Sequence, residues 1–413
     1  MGLPRNRNHG GRSAISRTLR ADAPALIFEG RSTTWREFDS RTSRIANALI
    51  PRRVSTANAV AFFGKNSDRY LELMFGAFKA DMPFLPLNWR RSPDELAALL
   101  KESSPAIIFV ELDLAEKLKQ ACAVANLSPE IIVFNPKDEQ SALDVFLYGA
   151  TAKDPLLPIA LNSTALRLFT SGTTGPPKAV ELSHASFMHM RLCEHLEPAL
   201  RWSAEDIYLF ALPNYHLAGV GIALQSLYNG GAVSILSEFE PAAALKVIRD
   251  TRPSITMLLP TELQMLVDHQ GTAAADYRCF RLVMYAGSSI SLELIRRAID
   301  EMNCNFMQFY GATEIAGAVT LLRPSEHDLN IEDNLQSCGR PLPFVEIRIV
   351  NQEGKDVRDG ETGEFLIRSP GIFKEYLNKP EATKSAKLNG WFRSGDAGYK
   401  AANGRYFIAG RVT

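Results

Sequence analysis

The sequence has few cysteines and no excess of positive charge. Its five cysteines, at positions 122, 193, 279, 304 and 338, are dispersed and form no C-x-x-C pair. This distribution indicates buried or free thiols in a reducing compartment. The 413 residues include 46 basic and 46 acidic side chains. The balance argues against a nucleic-acid partner or an anionic-membrane surface, because such binding usually depends on excess Lys and Arg.

Long apolar runs are also missing. No uninterrupted apolar stretch approaches the ~20 residues that a membrane helix needs, so we expect no stable membrane anchor. The first twenty residues are rich in Arg and contain no acid before Asp22, but no apolar region follows, which excludes a secretory signal. We expect residues 1–20 to form a basic, disordered tail and the protein to be cytoplasmic. Import into an organelle, with these residues as part of a transit peptide, is the alternative.

The histidines near the middle of the chain do not indicate a metal site. His189 and His195 lack the i, i+4 spacing that places two His side chains on one helix face. The segment that contains them, together with His184, therefore predicts a solvated helix.

Helical and strand patterns alternate through most of the chain, which favours a layered α/β fold. Apolar spacing predicts helices over residues 35–49 and 70–79, and Ser92 with Pro93 marks the start of another that runs to Leu100. Buried strands are predicted at residues 59–63, 84–87, 106–110, 131–134, 207–210, 232–236, 255–258 and 282–285. After about residue 335, strands at 346–350 and 364–368 between several glycines indicate a small β domain.

The most informative stretch is residues 168–184, with the sequence LFTSGTTGPPKAVELSH. An apolar, strand-like run leads into a loop of small hydroxyl residues, two glycines and Lys178. Glycine lets the backbone approach a ligand closely, and hydroxyl and ammonium groups suit phosphate oxygens. The loop is not a Walker A motif, because two prolines precede Lys178 and residues 179–180 look like strand. The stretch predicts a polyphosphate clamp in an enzyme that uses a nucleoside triphosphate.

This string closely resembles the phosphate loop of the adenylate-forming superfamily, which includes acyl-CoA synthetases, peptide-synthetase adenylation domains and firefly luciferase. Further segments resemble the family's motifs in the family's order: LPNYHLAG at 212–219, YAGSS at 285–289, QFYGATE at 308–314, GWFRSGD at 390–396 and YFIAGR at 406–411. The resemblance extends from about Ala25 to Thr413. It departs from the family at Ala179 and Gly410, where glycine and aspartate are usual.

The resemblance implies two sheet–helix layered α/β subdomains over residues 21–334 and a small distorted β-barrel subdomain over residues 335–413, with the active site where they meet. In the family a hinge residue stands at the position of Thr413, and a C-terminal lid domain of roughly 100 residues, with a second lysine, follows it. No segment of the 413 residues matches that lid. We therefore expect the chain to correspond to an N-terminal domain only, ending at the interdomain hinge.

The resemblance also implies a reaction, the attack of a carboxylate on the α-phosphate of ATP to give acyl-AMP and pyrophosphate. Catalysis would depend on positioning and charge neutralisation. Glu314 would coordinate Mg²⁺ and Thr313 would donate to the α-phosphate. Taken alone, Glu314 could be an acid at a helix N-terminus and Thr313 a helix cap. The residues implied to hold the ATP phosphates are Thr170, Ser171, Gly172, Thr173, Thr174 and Lys178.

A second set of residues is implied for the nucleoside. Asp396 would accept hydrogen bonds from both ribose hydroxyls, because a carboxylate only accepts and a diol donates. Tyr310 would stack on adenine and Arg411 would bind ribose or α-phosphate; the alternatives are a core tyrosine and a surface ion pair. The set is Gly287, Ser288, Ser289 and Tyr310 for adenine, and Asp396 and Arg411 for ribose.

His216 is the substrate-side candidate, implied to be catalytic together with Lys178, Thr313 and Glu314. Its ring would pack beside the acyl group or gate the carboxylate's access, and a structural histidine is the alternative. The residues implied to line the acyl pocket are Asn214, Tyr215, His216, Ala218, Gly219, Ala286, Gly311, Ala316 and Gly317. Most are small and no basic residue stands in these segments, which favours an apolar acid, aromatic or medium-chain, over a dicarboxylate.

Three functions stay open at this point. The first is a CoA ligase that acts through acyl-AMP, and the second is an adenylation module that passes the acyl group to a carrier-protein thiol. The third is a nucleotide or acyl-adenylate binding domain with little turnover. The motifs do not separate these functions, and they leave the oligomeric state open, with a homodimer as one option.

Overall fold

The computed structural model describes residues 20–53, 58–136, 142–170, 176–269 and 274–412. Apart from Arg20, the predicted basic tail at residues 1–20 lies outside these ranges. The strands are β1 (Pro24–Phe28), β2 (Arg31–Thr34), β3 (Val60–Phe63), β4 (Phe84–Pro86), β5 (Ile107–Glu111), β6 (Glu130–Phe134), β7 (Thr164–Thr170), β8 (Lys178–Ser183), β9 (Ile207–Phe210), β10 (Ala232–Ile235), β11 (Ile255–Leu258), β12 (Leu282–Tyr285), β13 (Asn305–Ala312), β14 (Gly317–Leu322), β15 (Arg340–Pro341), β16 (Glu346–Val350), β17 (Gly363–Arg368), β18 (Glu375–Tyr376), β19 (Lys387–Leu388), β20 (Trp391–Lys400) and β21 (Tyr406–Arg411). The α-helices are α1 (Trp35–Leu49), α2 (Asp68–Lys79), α3 (Pro93–Ser103), α4 (Ala115–Ala125), α5 (Ala142–Phe146), α6 (His184–Leu196), α7 (Leu217–Tyr228), α8 (Pro241–Thr251), α9 (Pro260–Asp268), α10 (Leu292–Met302), α11 (Glu332–Gln336) and α12 (Pro380–Ala386).

Three sheets organise the described ranges. The first has nine strands in the order β15-β14-β13-β12-β11-β9-β10-β1-β2, and neighbours from β13 to β1 are parallel. The second has seven in the order β18-β8-β7-β4-β3-β5-β6, and neighbours from β7 to β6 are parallel. The third is a small antiparallel half-barrel in the order β16-β17-β20-β19, with β21 paired to β20. The predicted layered α/β fold with a smaller β subdomain is confirmed.

Local sequence explains where several elements begin. Thr34 caps α1 with a capping box, because its hydroxyl accepts from the Glu37 N–H while the Glu37 carboxylate accepts from the Thr34 N–H. Ser92 and Glu95 form the same arrangement at α3, where Pro93 is the first helical residue. The central strands are buried on both faces, as expected of continuous apolar runs in a parallel sheet.

The prediction of a solvated helix at the histidines is wrong for His184 and His189 of α6, whereas His195 near the end of the helix is exposed. His184 and His189 are only 2% and 1% exposed. The ring of His184 meets the ring of Phe78 edge-on at 5.6 Å, and His189 Nε2 lies 2.9 Å from the Pro343 carbonyl oxygen. The two rings are covered because His184 packs on Phe78 of α2 and His189 contacts the segment that leads into the third sheet. Within the described ranges, no group of His, Cys, Asp or Glu side chains is arranged to hold a metal.

The proposed domain boundary at residue 335 stays a prediction. The strands of the third sheet all follow it, but β15 pairs in the first sheet and β18 pairs with β8 in the second. Strands from the last 80 or so residues therefore pair in all three sheets. Among the helices described, none has the length and hydropathy of a membrane span.

Candidate active site

The carboxyl ends of four parallel strands meet at one edge of the first sheet. These strands are β9, β11, β12 and β13. The segments that follow them carry His216, Leu259, Gly287 and Thr313, and all four residues line one cavity. Ligands of parallel α/β sheets bind outside the carboxyl ends of the strands. The topology thus brings together motif segments that are far apart in the sequence.

A tight turn between β13 and β14 presents Thr313 and Glu314 at this edge. At Gly311 a Cβ atom would lie 2.0 Å from the carbonyl oxygen of Gly317, so the strands can approach this closely only with glycine. Ala316 closes the turn in the left-handed region, with φ of 54°, and its N–H donates to the Thr313 carbonyl at 3.1 Å. This geometry leaves the Thr313 and Glu314 side chains half-buried at the edge.

The predicted phosphate loop begins at the end of β7. Thr170 and Lys178 are paired in the antiparallel β7–β8 ladder, and the Thr170 hydroxyl donates to the Lys178 carbonyl at 3.4 Å. The strand predicted at residues 179–180 is present and begins at Lys178, whereas the lysine of a Walker A motif stands at the start of a helix. Outside the described residues lie the other predicted phosphate ligands, Ser171, Gly172, Thr173 and Thr174.

Tyr376 links the loop lysine to the predicted metal ligand. The Nζ atom of Lys178 lies 4.7 Å from the centroid of the Tyr376 ring, and the Tyr376 hydroxyl donates to Glu314 Oε1 at 2.9 Å. Burial, and then the Glu314 carboxylate, raise the pKa of Tyr376, so the phenol stays protonated and donates. Tyr376 reaches this position because β18 pairs with β8, opposite Val180, and because the Phe373 N–H donates to the Glu314 carbonyl at 2.7 Å.

The chemistry of Glu314 fits a single-carboxylate magnesium ligand. Mg²⁺ is commonly held by one or two carboxylates together with substrate phosphates and water rather than by a cage of protein ligands. A carboxylate has about four lone-pair sites, and the Tyr376 hydroxyl uses one of them on Oε1. Glu314 therefore keeps oxygens available at the edge of the site, next to Thr313 and on the same side as Lys178.

Asp396 lies in a second polar cluster, contributed by the third sheet and β13. The Tyr310 hydroxyl donates to Asp396 Oδ2 at 2.6 Å, and Arg411 Nη1 donates to Asp396 Oδ1 at 2.5 Å. Asp396 and Arg411 are opposite each other in the β20–β21 ladder, which fixes the pair. The hydrogen bond with Asp396 raises the pKa of Arg411. Burial raises the pKa of Tyr310, and the charge of Asp396 raises it further. Both partners therefore orient the carboxylate and leave lone pairs that can accept further hydrogen bonds.

The predicted adenine loop is exposed after β12. Gly287, Ser288 and Ser289 all face solvent. Gly287 has φ of 89°, a left-handed conformation that favours glycine, whereas a Cβ atom there would lie 2.8 Å from Leu259 Cδ2, the end of a flexible side chain that can shift. Because β12 and β13 are neighbours, this loop lies beside the strand that carries Tyr310.

A mostly apolar cavity of about 370 Å³ opens at the Thr313 turn. Its walls come from α6, from α7 and from the strand ends already described. This volume lies within the range of small-molecule sites, roughly 300–1,000 Å³. The predicted acyl-pocket residues that line it are His216, Ala218, Ala286, Gly311, Ala316 and Gly317.

Three predicted pocket residues are not on this wall. Asn214 is fully buried, and its Nδ2 donates to the Gly64 carbonyl at 3.0 Å, so it anchors the segment before His216. Tyr215 is buried against the His216 ring, with centroids 4.7 Å apart. A Cβ atom at Gly219 would lie 2.7 Å from the Phe210 ring, so this glycine allows close packing of α7 on β9. These three residues lie behind the wall of this cavity, and their assignment to the acyl pocket stays a prediction.

His216 stands at the mouth of the cavity, at the N-cap of α7. Its ring is reached by solvent. Partial desolvation by the surrounding protein lowers the pKa of the imidazole, and the charges of Arg90 and Arg91 lower it further. The ring is therefore neutral at neutral pH and can border an apolar ligand or a carboxylate without carrying a charge of its own.

Several site residues escaped the sequence analysis. α6 contributes Arg191 to the cavity and α7 contributes Gly221 and Gln225, while Tyr376 joins Lys178 to Glu314. A signal for the α7 residues exists, because Ala218, Gly221 and Gln225 follow the three- and four-residue spacing of one helix face. No local signal points to Tyr376, since its strand is only two residues long.

The polar and apolar halves of the site meet at Thr313, which lines the cavity and precedes Glu314. Such a junction is what an adenylate-forming enzyme needs in order to join an acid to a nucleotide. Comparison with known proteins supports this class. The chain belongs to the AMP-binding enzyme family, whose model matches residues 15–377.

Characterised relatives of the chain are acyl-activating ligases. It is 31% identical over 391 residues to a fatty acid–[acyl-carrier-protein] ligase from Streptomyces coeruleorubidus, across 94% of this chain and 74% of the relative. It is 30% identical over 391 residues to a feruloyl-CoA synthase from an Amycolatopsis species, across 94% of this chain and 76% of the relative. These similarities support adenylate-forming activation of an acid.

Solved structures have the same fold. The inhibitor-bound N-terminal domain of FACL13 from Mycobacterium tuberculosis superimposes with a TM-score of 0.88 at 25% identity, covering 98% of this chain and all of that one. ATP-bound MatB from Rhodopseudomonas palustris gives a TM-score of 0.85 at 25% identity, covering 98% of this chain and 79% of that one. The fold is that of the N-terminal domain of acyl-CoA ligases.

Proposed function

We propose that the protein activates a carboxylic acid with ATP, forming acyl-AMP and pyrophosphate, and that CoA then accepts the acyl group as a thioester. The observation that carries the proposal is the junction at Thr313 between the apolar cavity and the polar residues Lys178 and Glu314. In this step the acid's oxygen bonds to the α-phosphorus and the bond from that phosphorus to the β-phosphate bridge breaks. Two anions must approach each other, so the protein's main task is to position them and neutralise charge.

Each described residue has a defined part in this proposal. Lys178 offers a positive charge to the departing phosphates, and Thr313 offers a hydroxyl beside the reacting phosphorus. Glu314 would hold Mg²⁺, which supplies further charge neutralisation when bound. Asp396, oriented by Tyr310 and Arg411, would accept from the ribose hydroxyls. His216, neutral at the mouth of the cavity, lets the carboxylate pass and borders the acyl group.

The apolar lining favours an aromatic or medium-chain acid. For the thiol that accepts the acyl group, the comparisons offer one alternative to CoA. The relative from Streptomyces coeruleorubidus is named as a ligase for an acyl carrier protein, and the relative from Amycolatopsis as one for CoA. A carrier-protein thiol is therefore the second candidate for the acceptor.

ATP–pyrophosphate exchange over a panel of carboxylic acids tests the proposal. We expect acid-dependent exchange, and we expect Lys178→Ala to reduce it about tenfold to a hundredfold, since hydrogen bonds to charged groups contribute about 1.5–3 kcal/mol. Lys246→Ala is a matched control, because Lys246 is an exposed lysine of α8 that forms a local salt bridge with Asp250. Absence of exchange with every acid, or a Lys178→Ala variant that binds ATP like the parent, would contradict the assignment.

Gly221 offers a test of the acyl cavity that preserves the fold. A Cβ atom at Gly221 would meet nothing within 4 Å and would point into the cavity. Replacing a mid-helix glycine by alanine gains about 0.5–1 kcal/mol of stability, so we expect Gly221→Ala to keep or raise the melting temperature. Gly221→Leu should fill part of the cavity and reduce activation of the largest accepted acids about 100-fold, while small acids are less affected.

Gly219→Ala is the matched control for Gly221→Ala. Its Cβ would lie 2.7 Å from the Phe210 ring and 2.9 Å from Leu212 Cβ, so we expect about 1–3 kcal/mol of destabilisation. Thermal unfolding of the two alanine variants and exchange with acids of graded size provide the measurements. If Gly221→Leu accepts the same acids as the parent, the cavity does not hold the acyl group.

A further inference from the structure

Gln225 places a neutral polar side chain at the inner end of the cavity. Gln225 is on the same face of α7 as Ala218 and Gly221, and all three line the cavity. An α-helix rises about 1.5 Å per residue, so Gln225 lies roughly 10 Å deeper along the helix than Ala218. His216, at the N-cap of the same helix, marks the opposite end, where the Thr313 turn lies.

The carboxamide of Gln225 is nearly inaccessible to solvent and incompletely paired. The residue is 2% exposed, and its Nε2 has no hydrogen-bond partner among the described residues. Buried amide groups are normally hydrogen-bonded, and leaving one unpaired is costly. Because the amide oxygen and nitrogen can exchange places by rotation, the side chain can offer either a donor or an acceptor to a cavity occupant.

The charge at this end of the cavity is balanced. Arg191 also lines it, but its Nη2 lies 2.5 Å from Glu194 Oε1, and its guanidinium carbon lies 4.2 Å from the centroid of the Tyr228 ring. Both side chains of the ion pair are buried. A second carboxylate on the ligand would therefore meet an arginine that is already neutralised. The inner end favours a neutral hydrogen-bonding group instead.

We infer that Gln225 selects aromatic acids that carry a neutral oxygen substituent, such as a phenolic hydroxyl, at the end remote from the carboxylate. This inference rests on the proposed function, in which the carboxylate lies near Thr313 and the rest of the acid extends along α7. The lining between the two polar ends is mostly apolar, which suits a ring and a short linker. A site built to pair with a ligand hydroxyl discriminates strongly against the analogue that lacks it, because its buried polar group is then left unpaired.

The test compares 4-hydroxycinnamate with cinnamate, both as free acids in pyrophosphate exchange and as their inert 5′-sulfamoyladenosine conjugates in calorimetry. For the parent protein we expect the hydroxylated compound to be preferred at least about tenfold in both assays. In Gln225→Met, which keeps the side-chain length without the amide, the preference should fall to about one or reverse. We also expect Gln225→Met to unfold at the same or a higher temperature than the parent, since an unpaired buried amide is removed.

The outcomes separate this inference from the proposed function. If the parent activates both acids equally, or activates only unsubstituted or alkyl acids, the proposed function stands and the role of Gln225 is refuted. If the preference persists in Gln225→Met, another group recognises the hydroxyl and the inference is wrong. If no acid of any kind supports exchange and neither conjugate binds, the proposed function fails and this inference with it. The inference stays falsifiable even if Gln225→Met does not fold, because a parent that lacks the preference already refutes the role of Gln225.

Discussion

Asp396→Asn is expected to weaken AMP binding about 100-fold or more. The carboxylate accepts from the Tyr310 hydroxyl and from Arg411, and under the proposed function it also accepts from both ribose hydroxyls. Each hydrogen bond to a charged group contributes about 1.5–3 kcal/mol. In Asp396→Asn, an NH2 group replaces one carboxylate oxygen, so a donor then faces the other hydrogen-bond donors. The substitution also removes the negative charge that pairs with the guanidinium of Arg411. Calorimetry of AMP binding measures the loss.

A deoxy analogue makes this prediction specific to the ribose. The parent should bind AMP at least about tenfold more tightly than 2′,3′-dideoxy-AMP, and Asp396→Asn should not distinguish the two. Glu346→Gln is the control, because it breaks another acid–arginine pair of the third sheet, with Arg368, on an exposed face. We expect that variant to bind AMP like the parent. If the parent binds AMP and 2′,3′-dideoxy-AMP equally tightly, Asp396 does not bind the ribose.

The sequence predicts most elements of this fold because the signals are local. The helix over residues 35–49 and the strands at 207–210, 255–258 and 282–285 agree with the structure at both ends. A buried strand in a parallel sheet is a short apolar run between turn residues, and such a run can be recognised without knowing its neighbours. The motif residues likewise lie at the ends of these strands, so their approximate positions follow once the strands are placed.

Other parts of the site depend on long-range pairing and are not visible in local sequence. Tyr376 belongs to a two-residue strand that pairs with β8, nearly 200 residues earlier, and only this pairing places it between Lys178 and Glu314. No periodicity can be read from two residues.

Glycines show a second limit on what can be predicted from the sequence. The motifs placed Gly219 and Gly311 alike in the pocket, yet Gly219 allows helix packing and Gly311 allows two strands to approach. No motif pointed to Gly221, where the absent side chain leaves space in the cavity. A glycine's role depends on what a Cβ atom would meet, and that is known only from the fold.

Glu314→Gln is expected to reduce acid-dependent pyrophosphate exchange about 100-fold or more, with a much smaller effect on AMP binding. The amide keeps the size of the side chain and can still accept from Tyr376, but it loses the negative charge that would hold Mg²⁺ beside the phosphates. Losing one preorganised electrostatic contact to a reacting group typically costs about 10²–10³ in rate. The dependence of exchange on Mg²⁺ concentration should shift to higher concentrations in the variant.

Two further variants show whether this effect comes from the carboxylate's charge or from local structure. Tyr376→Phe removes the hydrogen bond to Glu314 but keeps the ring beneath Lys178, so we expect a loss of only about twofold to tenfold. Glu332→Gln removes an exposed carboxylate that pairs with Arg296, and it should leave exchange unchanged. The Phe373 N–H bonds to the backbone carbonyl of Glu314, so the turn itself should survive all three substitutions, and thermal unfolding checks this. If Glu314→Gln keeps the parent's exchange rate and magnesium dependence, the carboxylate does not hold the metal, and the polar half of the proposed site would have to be centred on other residues.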